Sequence, residues 1–268
     1  MKKSSSILLA SFLAMPLSQG AIVTGLVGYW GFEDSTTNGG SGGSAFDGVL
    51  MGNAATTGTV RAGSGALLLD GSGDYLDITS TVDVNQPWTV SAWFNSDVGP
   101  TGRGMVFESS GSFAMSFGIR EGTPATNTNF QAFADAATGG DPSGDFQIGD
   151  AATIGAWHHI LLAFTPSTST TSGSITGYLD GTQSYNLTVP TGVSLVAANG
   201  FHIGTYRSAN DRWFDGSIDE VGMWNRTLSP AEAASVYRAG QAGLAIPEPS
   251  VAMLGSLGLI LLFRRRAS

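Results

Sequence analysis

The chain contains no cysteine. That excludes a disulfide framework, thiolate chemistry and cysteine-ligated zinc, so stability has to come from packing and, beyond packing, from an ion held by oxygen ligands. Lysine occurs only as Lys2 and Lys3, and charged residues make up 12% of the sequence. Acids outnumber bases 21 to 12, a formal charge of −9. A surface so poor in positive charge repels nucleic acid and anionic lipid, and neither is expected as a partner of the folded part. No Gly-x-Ser-x-Gly elbow precedes a helix, and no phosphate-cradling loop runs into a lysine, which removes two large enzyme classes. Helical periodicity is nearly absent, and no apolar run reaches the roughly 20 residues of a comfortable membrane helix.

What is present is clearest at the two ends. Lys2-Lys3, the apolar stretch Ile7–Leu17 and Ser18-Gln19-Gly20 before Ala21 form a charged start, a hydrophobic region and a small-x-small cleavage site. Residues 1–20 therefore read as a signal peptide. At the other end Pro247-Glu248-Pro249 leads into the 13 residues Val251–Phe263 and then Arg264-Arg265-Arg266. As a helix that apolar stretch reaches only about 20 Å against a hydrocarbon core of about 30 Å. The arginines stay cytoplasmic by the positive-inside tendency. Spacer, short span and basic end together resemble the PEP-CTERM sorting signal, which implies processing by an exosortase-type enzyme at the inner membrane. An ordinary C-terminal anchor is the plainer alternative. Residues 244–268 are assigned to this tail and 21–243 to the folded domain, so export to the cell surface or matrix is expected. Without Lys2, Lys3, the three terminal arginines and Glu248, seven bases face twenty acids, a net charge near −13.

Between the ends, short apolar or alternating runs recur between Gly, Asp, Asn and Ser. Strands are expected at Leu26–Phe32, Ala66–Leu69, Tyr75–Ile78, Thr89–Phe94, Gly104–Glu108 and Phe113–Ile119. Six more are expected at Asn129–Ala134, Trp157–Thr165, Ser174–Leu179, Gln183–Leu187, Phe201–Gly204 and Ser217–Trp224. Twelve such segments predict an all-β sandwich of two antiparallel sheets. Asp70-Gly71 and Asp180-Gly181 suit tight hairpins. Thr36–Ser44 reads as a mobile loop and Pro166–Gly173 as an exposed one. One short C-terminal helix is marked by the capping box Ser229-Pro230-Ala231-Glu232, with Ala233, Val236 and Tyr237 inward and Gly240 as its end.

Five blocks in order, Gly28-Tyr29-Trp30-Gly31-Phe32-Glu33-Asp34, Leu69–Ile78, Trp88–Phe94, Trp157–Ile160 with Gly177–Gly181, and Phe214–Ser229, resemble laminin-G-like domains. The resemblance implies a concanavalin A-like jelly roll and, in some relatives, a calcium ion tying the first strand to the last. On that analogy Glu33, Asp34 and Asp219 are the candidate ligands. The residues themselves also allow Asp219 to accept backbone N–H groups from a turn, and a strand reading puts it on the core face with Val221 and Met223. Glycanases of this family carry Glu-x-Asp-x-x-Glu or Glu-x-Asp-x-Glu on one strand. This chain has neither, so no catalytic residues are assigned and the protein is read as a non-enzyme.

The candidate ligand site is the loop Tyr206–Trp213. Tyr206, Arg207, Asn210, Arg212 and Trp213 together offer an aromatic face for the C–H side of a sugar and planar polar groups for its hydroxyls. The plainer reading is a hairpin with Trp213 packed inward and its arginines paired with Asp211 and Asp215. Arg103 and Arg120 with Glu121 form a poorer candidate. Trp93, Trp157, Trp224 and Phe164 read as core. His158 and His159, being neighbours on a strand, face opposite ways, and with His202 they read as structural. The partner expected is a polysaccharide or surface glycan; a structural matrix role without a discrete ligand is the alternative, with glycoside hydrolysis behind both.

Overall fold

The structure is a computed structural model and describes residues 22–33, 35–99, 103–111, 115–121, 128–137, 145–149 and 152–246. The expected signal peptide, Asp34 and the sorting residues Pro247, Glu248, Pro249, Arg264, Arg265 and Arg266 lie outside them. Among the described residues no helix is long and apolar enough to cross a membrane.

Fourteen strands form among the described residues. They begin with β1 (Leu26–Trp30), β2 (Val49–Met51), β3 (Leu67–Asp70), β4 (Tyr75–Ile78) and β5 (Trp88–Ser96). Then come β6 (Arg103–Ser109), β7 (Ser116–Glu121), β8 (Thr128–Phe133) and β9 (Asp145–Gly149), a meander in which each strand pairs with the next. The last five are β10 (Trp157–Thr165), β11 (Gly173–Leu179), β12 (Thr182–Val189), β13 (Phe201–Ile203) and β14 (Asp215–Trp224). The first sheet runs β1-β14-β5-β10-β11-β12 with β3 also beside β14; the second runs β2-β4-β13-β6-β7-β8-β9. The all-β antiparallel sandwich expected from the sequence is the architecture found. All twelve expected strands have counterparts; β2 and β9 are additional.

Alternation decides which side chain goes where. On β5, Val90, Ala92 and Phe94 join the core between the sheets, with Trp30, Trp88, Phe107, Phe117, Phe164 and Phe201. Trp93 points the other way and stacks on Tyr237 at 5.3 Å. That outer face is covered by helix α1 (Pro230–Gln241), where Ala233 and Val236 pack with Leu161, Tyr178, Trp224 and Ile246. The capping box forms as the sequence predicts: the Ser229 hydroxyl accepts from the Glu232 amide, and the Glu232 carboxylate accepts from the Ser229 amide. The buried chain continues to Ile246, whose amide donates to Glu220 at 2.6 Å.

Several local readings are corrected. Gly240 does not end the helix. It lies inside it, where a Cβ would come within 2.1 Å of Trp93 Nε1; the turn out of the helix is made at Gly243, φ +69°. Asp180-Gly181 does join β11 to β12, both at positive φ, but Asp70-Gly71 carries the chain from the first sheet to the second. The segment around Thr36–Ser44 is tied down, not free. Asn38 donates to Val27 O, Gly40 O and Gly43 O and accepts from the Tyr29 amide, zipping the loop along the edge of β1. Trp157 is only half-buried.

Asp219 is not on the core face. In β14, Asp219 pairs with Trp93 and Gly222 with Ser91, so two residues oppose Ala92 alone. This bulge, with Glu220 at φ +50°, resets the alternation: Ile218, Val221 and Met223 face the core, and Asp219 shares the outer face with Trp93.

Candidate functional site

The β13–β14 connection holds all five residues singled out in the ligand loop. It closes on itself: the Thr205 hydroxyl and the Tyr206 amide both donate to Asp211 O, at 3.1 and 3.3 Å. Ala209 and Arg212 take left-handed conformations, φ +49° and +53°, to make the two corners. Arg212 lies 3.9 Å above the Tyr206 ring and Arg207 lies 5.0 Å from it. Asn210 is exposed. Arg212 Nε stands 3.8 Å from Asp211 Oδ1, a loose ion pair. Trp213 leaves this cluster and faces Tyr75 at 6.0 Å. The two arginines thus stack on Tyr206, while the Trp213 ring meets Tyr75 instead.

Trp213 opens onto a rim cleft of about 270 Å³ whose walls include Val98, Arg103, Ile119, Arg212 and Asp215. Gly71, Gly99 and Gly104 leave it room. Arg103 also sits 4.7 Å over Phe133. It stands opposite Arg120 across β6 and β7, so of the poorer candidate pair Arg103 belongs to the main cleft; the Glu121 side chain lies outside the described residues. Burial pushes the Asp215 carboxyl up, and repulsion from Asp97 and Asp70 adds to it. The cleft is therefore lined by a tryptophan, two arginines and an acid.

Beneath the loop, the outer face of the second sheet carries a polar row that the sequence reading missed. Asp77, His202, Glu108 and Ser116 stand opposite one another on β4, β13, β6 and β7. His202 Nε2 lies 3.4 Å from Asp77 and its Nδ1 3.1 Å from Tyr206 O, which ties the loop to the sheet. Glu108 is fully buried, and burial pushes its carboxyl up to about 8 against the opposing pull of Arg212 and Arg207. The only signal available in the sequence is a charge facing away from Phe107 in the run Met105-Val106-Phe107-Glu108.

Of the three candidate calcium ligands, Asp219 and Glu33 are described and Asp34 lies outside the described residues. Asp219 is fully buried; its Oδ2 accepts from the Arg61 and Ala62 amides at 2.8 and 3.0 Å, and its Oδ1 from the Glu220 amide at 2.7 Å. Glu33 accepts from the amide and the hydroxyl of Ser64. Both acids face N–H and O–H donors of the 61–64 turn, an anion-binding arrangement. Donors aimed at Asp219 do not fit a cation at that spot, and among the described residues no three His, Asp or Glu side chains gather as a metal set.

The histidines are split as expected. His158 bonds to Asp180 and accepts from the Thr153 amide, on the Phe94 side of β10. His159 lies on the other side against Trp93 and Tyr237. Among the described residues neither ring nitrogen has a hydrogen-bond partner, and burial lowers its pKa to about 3.

No curated protein matches the chain by sequence. In structure it is similar to domain 4 of AbnA, a GH43 extracellular arabinanase from Geobacillus stearothermophilus, in complex with arabinotriose (TM-score 0.57, 19% identity, covering 79% of this chain and 98% of that one). It is also similar to the binding domain of botulinum neurotoxin DC in complex with SialylT (TM-score 0.58, 10% identity, 82% of this chain). Here it spans about half of the other chain, 52%. Trypanosoma rangeli sialidase in complex with sialic acid follows at TM-score 0.53 and 17% identity, covering 74% of this chain and 30% of the enzyme. These likenesses show the fold; most are to binding domains, and some are to parts of enzymes. The sequence adds membership: residues 70–234, more than half of the protein, match Laminin_G_3, and the chain belongs to that family of the Concanavalin A-like lectin/glucanases superfamily.

Proposed function

We propose that the chain is an exported, non-catalytic glycan-binding protein of the cell surface or extracellular matrix, sorted through its C-terminal tail. The observation that carries the binding reading is the rim cleft, where Trp213, Arg103, Arg212 and Asp215 line one space. A sugar needs an apolar face for its C–H surface and fixed donors and acceptors for its hydroxyls, and these four residues supply both. The arabinanase domain and the neurotoxin binding domain, whose structures hold arabinotriose and SialylT, support the class of ligand by analogy of fold only. Catalysis is not part of the reading, because the paired carboxylates of the family's glycanases have no counterpart in the sequence. A calcium ion is not needed at Asp219, whose oxygens are held by amides. Export and exosortase-type sorting rest on the sequence of the two ends.

The test is titration of the purified full chain with a panel of polysaccharides, including exopolysaccharide of the producing bacterium. Saturable binding is expected, weakened about fivefold or more by Trp213→Ala, since a lost aromatic face is worth about 1 kcal/mol or more. A full panel without binding would leave a structural matrix role in its place.

A further inference from the structure

Glu108 is a carboxylate that the fold does not use. It is fully buried, and neither oxygen has a hydrogen-bond partner among the described residues. The guanidinium groups of Arg207 and Arg212 and the Arg207 amide lie near enough to favour its charged form, yet none donates to it with full hydrogen-bond geometry. It has company. Ser116, opposite it on β7, has an unpartnered buried hydroxyl; Gln131 on β8 has an unpartnered side-chain oxygen; and Arg212 Nη1, from the loop above, is buried without an acceptor. Leaving buried polar groups unmatched is costly, and a structural role would have been served better by apolar side chains.

These groups share one face. Phe107 and Phe117 point into the sandwich, so their neighbours Glu108 and Ser116 point out of it, beneath Tyr206–Trp213. Acceptors lie on the sheet and a donor on the loop, with the buried Met105 and Phe133 beside them as apolar surface. That is the complement of a ring bearing adjacent hydroxyls, since one carboxyl group can bridge two of them while a serine and a guanidinium take the rest. The cover is removable. It is held through His202 to Tyr206 O, through the Gly111 amide to Arg207 O at 3.2 Å and through the Met105 amide to Arg212 O at 3.0 Å, with two non-glycine residues in the left-handed region.

We propose that Glu108, Ser116 and the Arg212 guanidinium form a hydroxyl-binding subsite for a sugar ring with vicinal hydroxyl groups, closed by the 206–213 loop when empty. This rests on the glycan-binding reading and places its deepest contacts behind the rim cleft, at residues the loop alone does not reveal.

The experiment uses the full chain, Glu108→Gln and Ser116→Ala, with thermal melting and calorimetric titration against any polysaccharide the wild type binds. Glu108→Gln should melt at or above the wild-type temperature, because it removes an unmatched buried acid, while affinity falls about tenfold or more. Ser116→Ala should weaken binding severalfold without changing the melting temperature. Wild-type affinity in both variants overturns the subsite and leaves glycan binding at the rim standing; ordered water would then be all that fills the gap. A wild type that binds nothing overturns both readings. If Glu108→Gln does not fold, Glu108 is structural, and unchanged affinity in Ser116→Ala completes the refutation.

Discussion

Asp219 is tolerated at full burial because three amides donate to it. Burial still wins, raising its pKa to about 6, with Glu33 adding repulsion. An asparagine of the same shape has one acceptor oxygen where the turn needs two, and its NH₂ would meet N–H donors. Asp219→Asn should therefore cost about 2–4 kcal/mol, read from denaturant unfolding. Chelation separates this cap from a cation site: EDTA should leave the wild-type melting temperature unchanged. A fall that added calcium reverses would mean that Glu33 and Asp34 hold an ion beside the turn. The sequence marked Asp219 as an unusual acid but put it on the wrong face. Strict alternation carries no sign of a bulge, and Glu220 is not a glycine that would hint at positive φ.

At the scale of elements, alternation and turn residues made most strands legible. The two that escaped are short of signal: β2 has three exposed apolar residues, and β9 has Phe146 and Ile148 as its only apolar pair. The Thr36–Ser44 segment looked loose from its composition, since one asparagine can organise a loop without any periodic trace. In α1 the capping box was legible because it is local. The role of Gly240 was not, because it depends on Trp93 from a distant strand. Gly240→Ala would place a methyl group on that indole and force the helix off the first sheet. An exposed helical position would gain from alanine; here about 1–3 kcal/mol should be lost, measured by thermal or denaturant melting. An unchanged or higher melting temperature would show that the helix rides further from the sheet.

For the whole molecule, the ligand loop was legible because aromatic and planar polar residues crowd into eight positions, whereas Glu108 was hidden within a strand whose outer face looked like any other. Its burial has a consequence for stability that it shares with Asp219 and Glu220. Burial pushes Glu108 and Glu220 up to about 8, and Asp219 to about 6. Between the unfolded carboxyl range and those values the native state keeps protons that the unfolded chain has released. Stability from these groups is therefore fully present below the ordinary carboxyl range and is lost as pH rises from there, to about 6 for Asp219 and to about 8 for Glu108 and Glu220. His159 acts in the opposite direction: its folded pKa is near 3, so below the ordinary histidine range the unfolded chain takes a proton that the native state refuses. Glu232 agrees with His159; burial raises it, but hydrogen bonds from Arg226 and Ser229 outweigh that and hold it near 2. The melting temperature should pass through a maximum at about pH 4–5, where the three buried acids begin to outweigh His159, and decline to about pH 8, with each buried acid contributing at most about 1.4 kcal/mol per pH unit. Self-repulsion of the acidic surface adds to the alkaline decline, but added salt removes that part and leaves the buried groups. In Glu108→Gln the decline above pH 7 should flatten. A melting temperature in high salt that keeps rising to pH 9 would mean that these carboxyls are ionised where they lie.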